Sequence, residues 1–246
     1  MGKGDSVQDD FSDAPIMASD TPLFLKEKHI VYWLRCLRSP LPHHYTSNDS
    51  NRMTLAFFTI SALDLLGVLY TRTTPTEREE YATWIYSCQH PKGGFRGFPG
   101  TDFGNKATAE NAEWDPANIP ATYFALSALC VLSDDLSRVK RKELLGWLTK
   151  MQREDGSFGE TLGPGGRVEG GMDTRYGYCA MAIRWILRGE VEGVVDGVAD
   201  VRTEQLVQCI QQSQVCLWMA HNVHSTDTSQ TYDGGICEQP YDEAQG

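Results

Sequence analysis

Gln152-Arg-Glu-Asp-Gly-Ser-Phe158 has two counterparts elsewhere in the chain, Gln89-His-Pro-Lys-Gly-Gly-Phe95 and Gln230-Thr-Tyr-Asp-Gly-Gly-Ile236. Each copy has Gln, two spacers, a polar residue, Gly, one further residue and then an apolar residue. An apolar helical tail runs into the first two copies: Trp84-Ile85 with Cys88, and Trp147-Leu148 with Met151. The glycine just past that tail fits a helix stop, where the backbone turns through conformations that only Gly adopts without strain. A motif recurring at helix ends marks a repeat architecture.

A second element keeps step with the first. Phe57-Phe58-Thr-Ile-Ser-Ala-Leu63 is similar to Tyr123-Phe124-Ala-Leu-Ser-Ala-Leu129 and, more loosely, to Gly177-Tyr178-Cys-Ala-Met-Ala-Ile183. The unit is a helix, a connection, a second helix and a glycine turn. Such units cannot bury their apolar faces alone and must stack on their neighbours.

With 246 residues, 41% of them hydrophobic, the chain can build a sizeable core in one large domain. No apolar run is long enough to span a bilayer, and the N-terminus lacks a signal-type apolar stretch. A net charge of -11, without a basic cluster interleaved with aromatics, argues against nucleic-acid binding. Arg138-Val-Lys-Arg-Lys142 is basic but short and reads as the solvated start of a helix. The cysteines, Cys36, Cys88, Cys130, Cys179, Cys209, Cys216 and Cys237, are scattered, several within apolar helical patterns. They read as reduced core thiols of a cytoplasmic protein.

Residues 1–20 are polar, acidic and aperiodic, the composition of a disordered tail. Thr21-Pro22 can start a helix, and apolar spacing predicts one over 23–37, stopped by Ser39-Pro-Leu-Pro42. Ser50 or Asn51 is the expected cap of a helix over 53–69, and Thr76 that of a helix running to 88. The glycine-, proline- and asparagine-rich stretch 89–118 is too long for a plain connector and suggests a lid, a pocket lining or a docking surface. Pro120 opens a helix to about 132, and Ser137 caps one ending near 151. After a glycine-rich loop over 159–171, Asp173 or Thr174 caps a helix to 187, and 202–212 begins another. No strand alternation is convincing. The fold class is all-α.

Gln89 to Gln152 spans 63 residues, whereas Gln152 to Gln230 spans 78. Ser213-Gln214 and Ser229-Gln230 are the same dipeptide, so removing the segment between them restores the period. We read about 215–230 as an insertion, with a retained intron as one origin and a genuine surface loop as the alternative. His221, His224, Cys209 and Cys216 would otherwise suggest a metal cluster, but an unpatterned insert lacks the short, definite spacings of zinc sites.

The glycine turns, Arg52-Met-Thr-Leu-Ala-Phe-Phe58, Thr122-Tyr-Phe-Ala-Leu-Ser-Ala-Leu129, Asp134-Asp-Leu-Ser-Arg-Val139 and Asp173-Thr-Arg-Tyr-Gly-Tyr-Cys-Ala180 occur in collinear order. Together they resemble the protein prenyltransferase β subunits, and within them most those of type I geranylgeranyltransferase. The resemblance covers residues 21–246. It implies an α-α barrel (toroid) of helix pairs around an apolar funnel, here about the first half to two thirds of it. It also implies a heterodimer with an α subunit, and transfer of geranylgeranyl from its diphosphate to the Cys of a C-terminal Cys-a-a-X (CaaX) sequence on proteins such as Rho-type small GTPases. Zinc in such enzymes presents the thiol as a thiolate nucleophile.

By the same resemblance, Thr54 stands where farnesyl-specific relatives carry a bulky Trp that shortens the funnel, which favours the longer donor. Phe57, Phe58, Tyr123 and Tyr178 are expected to line the lipid and peptide cavity. Arg175 matches an inner-helix Arg whose guanidinium could serve the lipid or the peptide carboxylate. Ordinary helix packing is the alternative reading of these residues. Gln245, in Asp242-Glu-Ala-Gln-Gly246, replaces a His that contacts the diphosphate. The zinc ligands of the family, an Asp, a Cys and a His, are expected beyond residue 246. The chain as written is therefore expected to lack the catalytic metal site, to be inactive, and to expose apolar faces prone to aggregation. Alternatives are a farnesyltransferase or Rab geranylgeranyltransferase β subunit, against which Thr54 and the 134–139 run respectively argue, or a non-catalytic helical-repeat binding fragment. A terpene cyclase fits poorly, because Asp134-Asp135 lacks a further Asp at useful spacing.

Overall fold

The computed structural model describes residues 23–213. The expected tail 1–20, the helix start at Thr21-Pro22, the 215–230 insertion, the third turn copy and Gln245 lie outside the described residues.

The helices are α1 (Lys26–Arg38), α2 (Arg52–Leu65), a single turn α3 (Leu69–Arg72), α4 (Pro75–Ser87), α5 (Ile119–Val131), α6 (Arg141–Lys150), α7 (Thr174–Arg188) and α8 (Thr203–Ser213). The helix expected over 53–69 ends early. Gly67, with φ at +71°, turns the chain, and Val68 N–H donates back to the Leu63 carbonyl. The cap of α4 is Thr74 rather than Thr76. Thr74 Oγ1 accepts from Glu77 N–H, Glu77 returns a bond to the Thr74 N–H, and Pro75 occupies the first helical position. The glycine-rich loop after Phe158 holds two short antiparallel strands, β1 (Thr161–Leu162) and β2 (Val168–Glu169), in an otherwise helical fold.

α2 packs on α5, and α5 on α7, so these three form one layer. α4 lies against α5, α6 against α7, and Leu206 of α8 against Gly177 of α7, which makes the second layer. Each inner helix is followed in the chain by an outer one, and the glycine turn returns the chain to the next inner helix. The core fills the space between layers: Ile60 and Leu63 of α2, Ile85 of α4, Leu126 and Leu129 of α5, Leu144 and Leu148 of α6, and Ile183 of α7. This is the helix-pair repeat expected of an α-α barrel.

The Gln of both described glycine turns clamps the next outer helix. Gln89 Oε1 accepts from Lys140 N–H at 2.6 Å, and its amide donates to the Arg138 carbonyl at 3.1 Å. Gln152 Oε1 accepts from Arg202 N–H at 2.8 Å, and its amide donates to the Arg202 carbonyl at 3.0 Å. Both outer helices thus have an N-terminal backbone group satisfied from one repeat earlier. This is why Ser137 does not cap α6. The 133–137 segment instead folds on its own carboxylates, with Asp134 accepting from Leu136 N–H and Asp135 from Ser137 N–H.

The glycines of the two turns are constrained twice. Gly93 and Gly156 have φ of +111° and +92°. A Cβ on Gly93 would lie 2.4 Å from the Glu143 carbonyl oxygen of α6, and one on Gly156 would lie 2.3 Å from the Gln205 carbonyl of α8. The apolar residue closing each turn, Phe95 or Phe158, is fully buried.

Cys88, Cys179 and Cys209 are buried, as core thiols should be, whereas Cys36 and Cys130 are exposed. Burial pushes the Cys88 and Cys179 thiols up to about 11, so both stay protonated near neutrality. Among the described residues no helix is long and apolar enough to cross a membrane.

Urea unfolding should separate turn glycines from an ordinary helical one. Gly156→Ala is expected to cost about 2 kcal/mol or more, from positive φ and the contact with α8. Gly146→Ala, inside α6 with nothing near its added Cβ, should stabilise by about 0.5–1 kcal/mol. Equal effects would remove the turn's claimed role.

Candidate functional site

Thr54, Phe57 and Phe58 lie in the first half of α2, Tyr123 and Phe124 in that of α5, and Tyr178 in that of α7. Because the repeat sets these helices side by side, corresponding positions converge into one aromatic wall. The Phe57 ring centroid is 5.5 Å from Phe58, 6.1 Å from Tyr123 and 5.1 Å from Phe124. Tyr123 meets Tyr178 edge-on at 5.5 Å, and their phenol oxygens are 3.1 Å apart. Such tilted and edge-on pairs are the favoured arrangements of ring quadrupoles.

The wall is uncharged. Burial, then the hydrogen bond with Tyr178, pushes the Tyr123 phenol up to about 12, so it remains neutral in the physiological range. Phe58 is 52% exposed and Tyr178 63% exposed, so the wall presents apolar surface rather than closing on itself. Thr54 is half-buried on α2, three and four residues before Phe57 and Phe58 and hence on the same side of the helix.

The long connection 89–118 is anchored to the end of α2 nearest Thr54. Met53 N–H donates to the Gly97 carbonyl at 2.8 Å, and a Cβ on Gly97 would fall 1.9 Å from the Ser50 carbonyl oxygen. Inside it, Arg96, only 2% exposed, makes a two-pronged pair with buried Asp115. Its remaining Nη1 donates to the Gln89 carbonyl at 3.0 Å. His90 lies beside this pair, and burial, then the Arg96 charge, lowers its pKa. The connection is therefore a strapped element, fastened by a buried and fully engaged guanidinium.

Arg175 is not on a buried face. It opens α7 with its side chain 86% exposed and pairs with Asp173, its Nε donating to Asp173 Oδ2 at 2.7 Å. Asp173 Oδ1 also accepts the Arg175 backbone N–H at 2.8 Å, which makes Asp173 the cap of α7. The structure thus brings Thr54, Phe57, Phe58, Tyr123 and Tyr178 to one wall and sets Arg175 one helical turn from Tyr178. Phe124 is the wall residue that motif reading passed over. The repeat alignment held the signal, since Phe58 and Phe124 occupy the same place in successive copies.

Among the described residues, no group of three or more His, Cys, Asp or Glu is placed to hold a metal ion. The described residues therefore do not fit a zinc site.

Residues 24–246 match the family model of the prenyltransferase alpha-alpha toroid domain. The chain belongs to that family. Among curated relatives, it is 33% identical to the Arabidopsis thaliana geranylgeranyl transferase type-1 subunit beta, over 70% of this chain and 46% of the relative. The Dictyostelium discoideum geranylgeranyl transferase type-1 subunit beta is 36% identical over 66% of this chain and 49% of the relative. The Schizosaccharomyces pombe protein farnesyltransferase subunit beta is 25% identical over 94% of this chain and 49% of the relative. The chain spans about half the length of the curated relatives it matches. A solved structure of Candida albicans protein geranylgeranyltransferase-I complexed with GGPP has the same fold, with a TM-score of 0.70 at 23% identity over 91% of this chain and 56% of that one.

The Arg175 hydrogen bond holds the Asp173 carboxyl below the usual carboxylate range. A carboxylate of depressed pKa stabilises the fold above its unfolded value of about 3.9, and that contribution is lost as pH falls through the lower folded value. Asp173→Asn keeps a good cap but removes the charge. Wild type should therefore exceed Asp173→Asn in urea midpoint near neutrality, and the difference should shrink away as pH falls through the lowered folded pKa of Asp173. A gap independent of pH would show that the pair with Arg175 contributes nothing.

Proposed function

We propose that this chain is the β subunit of a type I protein geranylgeranyltransferase. The enzyme moves a geranylgeranyl group from its diphosphate to the Cys of a C-terminal CaaX sequence, in a cytoplasmic heterodimer with an α subunit. In that reaction the cysteine sulfur attacks C1 of the lipid, the new C–S bond forms as the C1–O bond breaks, and diphosphate leaves. A zinc ion, held by residues outside those described, would present that sulfur as a thiolate. What the described residues do is hold the hydrocarbon.

The observation that carries the reading is the neutral wall formed by Phe57, Phe58, Tyr123, Phe124 and Tyr178, with small Thr54 beside it. A polyprenyl chain offers no hydrogen bonds, so its recognition rests on buried apolar area at about 25 cal/mol per Å², or about 0.8 kcal/mol per CH₂. A bulky side chain at position 54 would occupy space that one further isoprene unit needs. Arg175, now paired with Asp173, would serve an anionic group of lipid or peptide by exchanging that partner. A farnesyltransferase β subunit is the second reading, because such a relative aligns over 94% of this chain.

Calorimetric titration of the full chain, co-expressed with a prenyltransferase α subunit, tests both readings. Geranylgeranyl diphosphate should bind more tightly than farnesyl diphosphate, and Thr54→Trp should weaken the former by about 10-fold or more while sparing the latter. Tighter farnesyl diphosphate binding by wild type would replace the first reading with the second. Binding of neither would overturn both.

A further inference from the structure

Phe58 projects from α2 with half its surface exposed, yet its ring has only two aromatic neighbours among the described residues. One is Phe57 on its own helix, at 5.5 Å. The other is Phe124, reaching across from α5, at 5.7 Å. Phe124 also touches Phe57 at 5.1 Å and Tyr123 at 5.2 Å. Phe57 keeps a second contact across the helices through Tyr123, at 6.1 Å, but Phe58 has none besides Phe124. Phe124 is therefore the ring that props Phe58 from the neighbouring helix.

The side chains of α5 that share a face with Phe124 cannot replace it. On that face lie Pro120, Ala121, Ser127 and Ala128, none with a side chain that could fill the space of a phenyl ring. Shortening Phe124 would leave a ring-sized gap between α2 and α5. Phe58, with solvent on its other side, is the side chain free to turn into that gap, and doing so would widen the space in front of the wall.

We propose that Phe124 is a specificity-determining residue, which sets the width of the isoprenoid space by holding the Phe58 ring forward from α2. It touches the wall behind the lipid rather than any reacting group. The inference rests on the reading of this wall as a polyprenyl site.

The test uses the full chain with its α subunit and the farnesyl, geranylgeranyl and geranylfarnesyl diphosphates as probes. Wild type is first titrated with each by calorimetry; if it binds none, the polyprenyl reading itself fails. Where wild type binds, Phe124→Ala should raise affinity for geranylfarnesyl relative to geranylgeranyl diphosphate by about 10-fold, the scale on which apolar pockets discriminate small changes of volume. Phe58→Ala should give the same change, and the double variant no further one, because both act on one ring position. An unaltered preference in folded Phe124→Ala would overturn the proposal and leave the ring a packing residue only. Should Phe124→Ala fail to fold, Phe124→Leu carries the test: a shift of about threefold toward the longer probe supports the proposal, and no shift overturns it.

Discussion

The amide of Gln152 reaches fifty positions along the chain to the backbone of Arg202, and that reach couples one helix pair to the next. Gln89 does the same for the start of α6. In a stacked repeat, stability is a sum of intrinsic terms and nearest-neighbour interfaces. Here the neighbour term has a definite anatomy: a side-chain amide matched to one backbone N–H and one carbonyl, and a glycine that lets turn and helix backbones meet. Neither part tolerates substitution of shape, since Asn would fall short and a Cβ on Gly156 would overlap α8.

Because the clamps act on the outer layer, they set the spacing of the inner one. α2, α5 and α7 follow from their outer partners through the shared core of Leu126, Leu129, Leu144 and Ile183. Residues at matching places in each copy are then carried to one surface. The aromatic wall is the repeat expressed in side chains: Phe57 with Tyr123, Phe58 with Phe124, and Tyr178 in the third copy. A site made this way is rigid, for its members sit on helices rather than on loops, and it needs no polar anchor. Its polar groups are the Thr54 hydroxyl and the Tyr123–Tyr178 contact, where burial raises the Tyr123 pKa.

The connection 89–118 shows how a long irregular segment is stabilised within such a frame. A buried guanidinium bonded to Asp115 and to the Gln89 carbonyl satisfies polar groups that would otherwise be costly to enclose. The same Gln89 that clamps α6 with its side chain thus fastens the connection with its carbonyl, so repeat spacing and the end of the wall near Thr54 depend on one turn.

Much of this is legible in the sequence. The Gln-and-Gly recurrence, the paired apolar helices and the all-α class came from spacing alone, since 3.6-residue periodicity and left-handed glycine turns are local properties. The candidate wall residues, and their place around one cavity, follow from motif resemblance rather than from spacing. Two caps differ: Thr74 displaces Thr76 through a local capping box with Glu77 and Pro75, whereas Gln89 serves the start of α6 in place of Ser137, and a side chain from a previous repeat is invisible to local reading. The partners of Arg96, the exposure of Arg175 and of Cys36 and Cys130, and the propping of Phe58 by Phe124 were decided by tertiary structure only. Each depends on which surfaces face one another across helices distant in sequence. The sequence by itself determined that helix pairs repeat and where they turn; the packing of one pair on the next decided which side chains meet, because distance in space is set by interfaces and not by chain order.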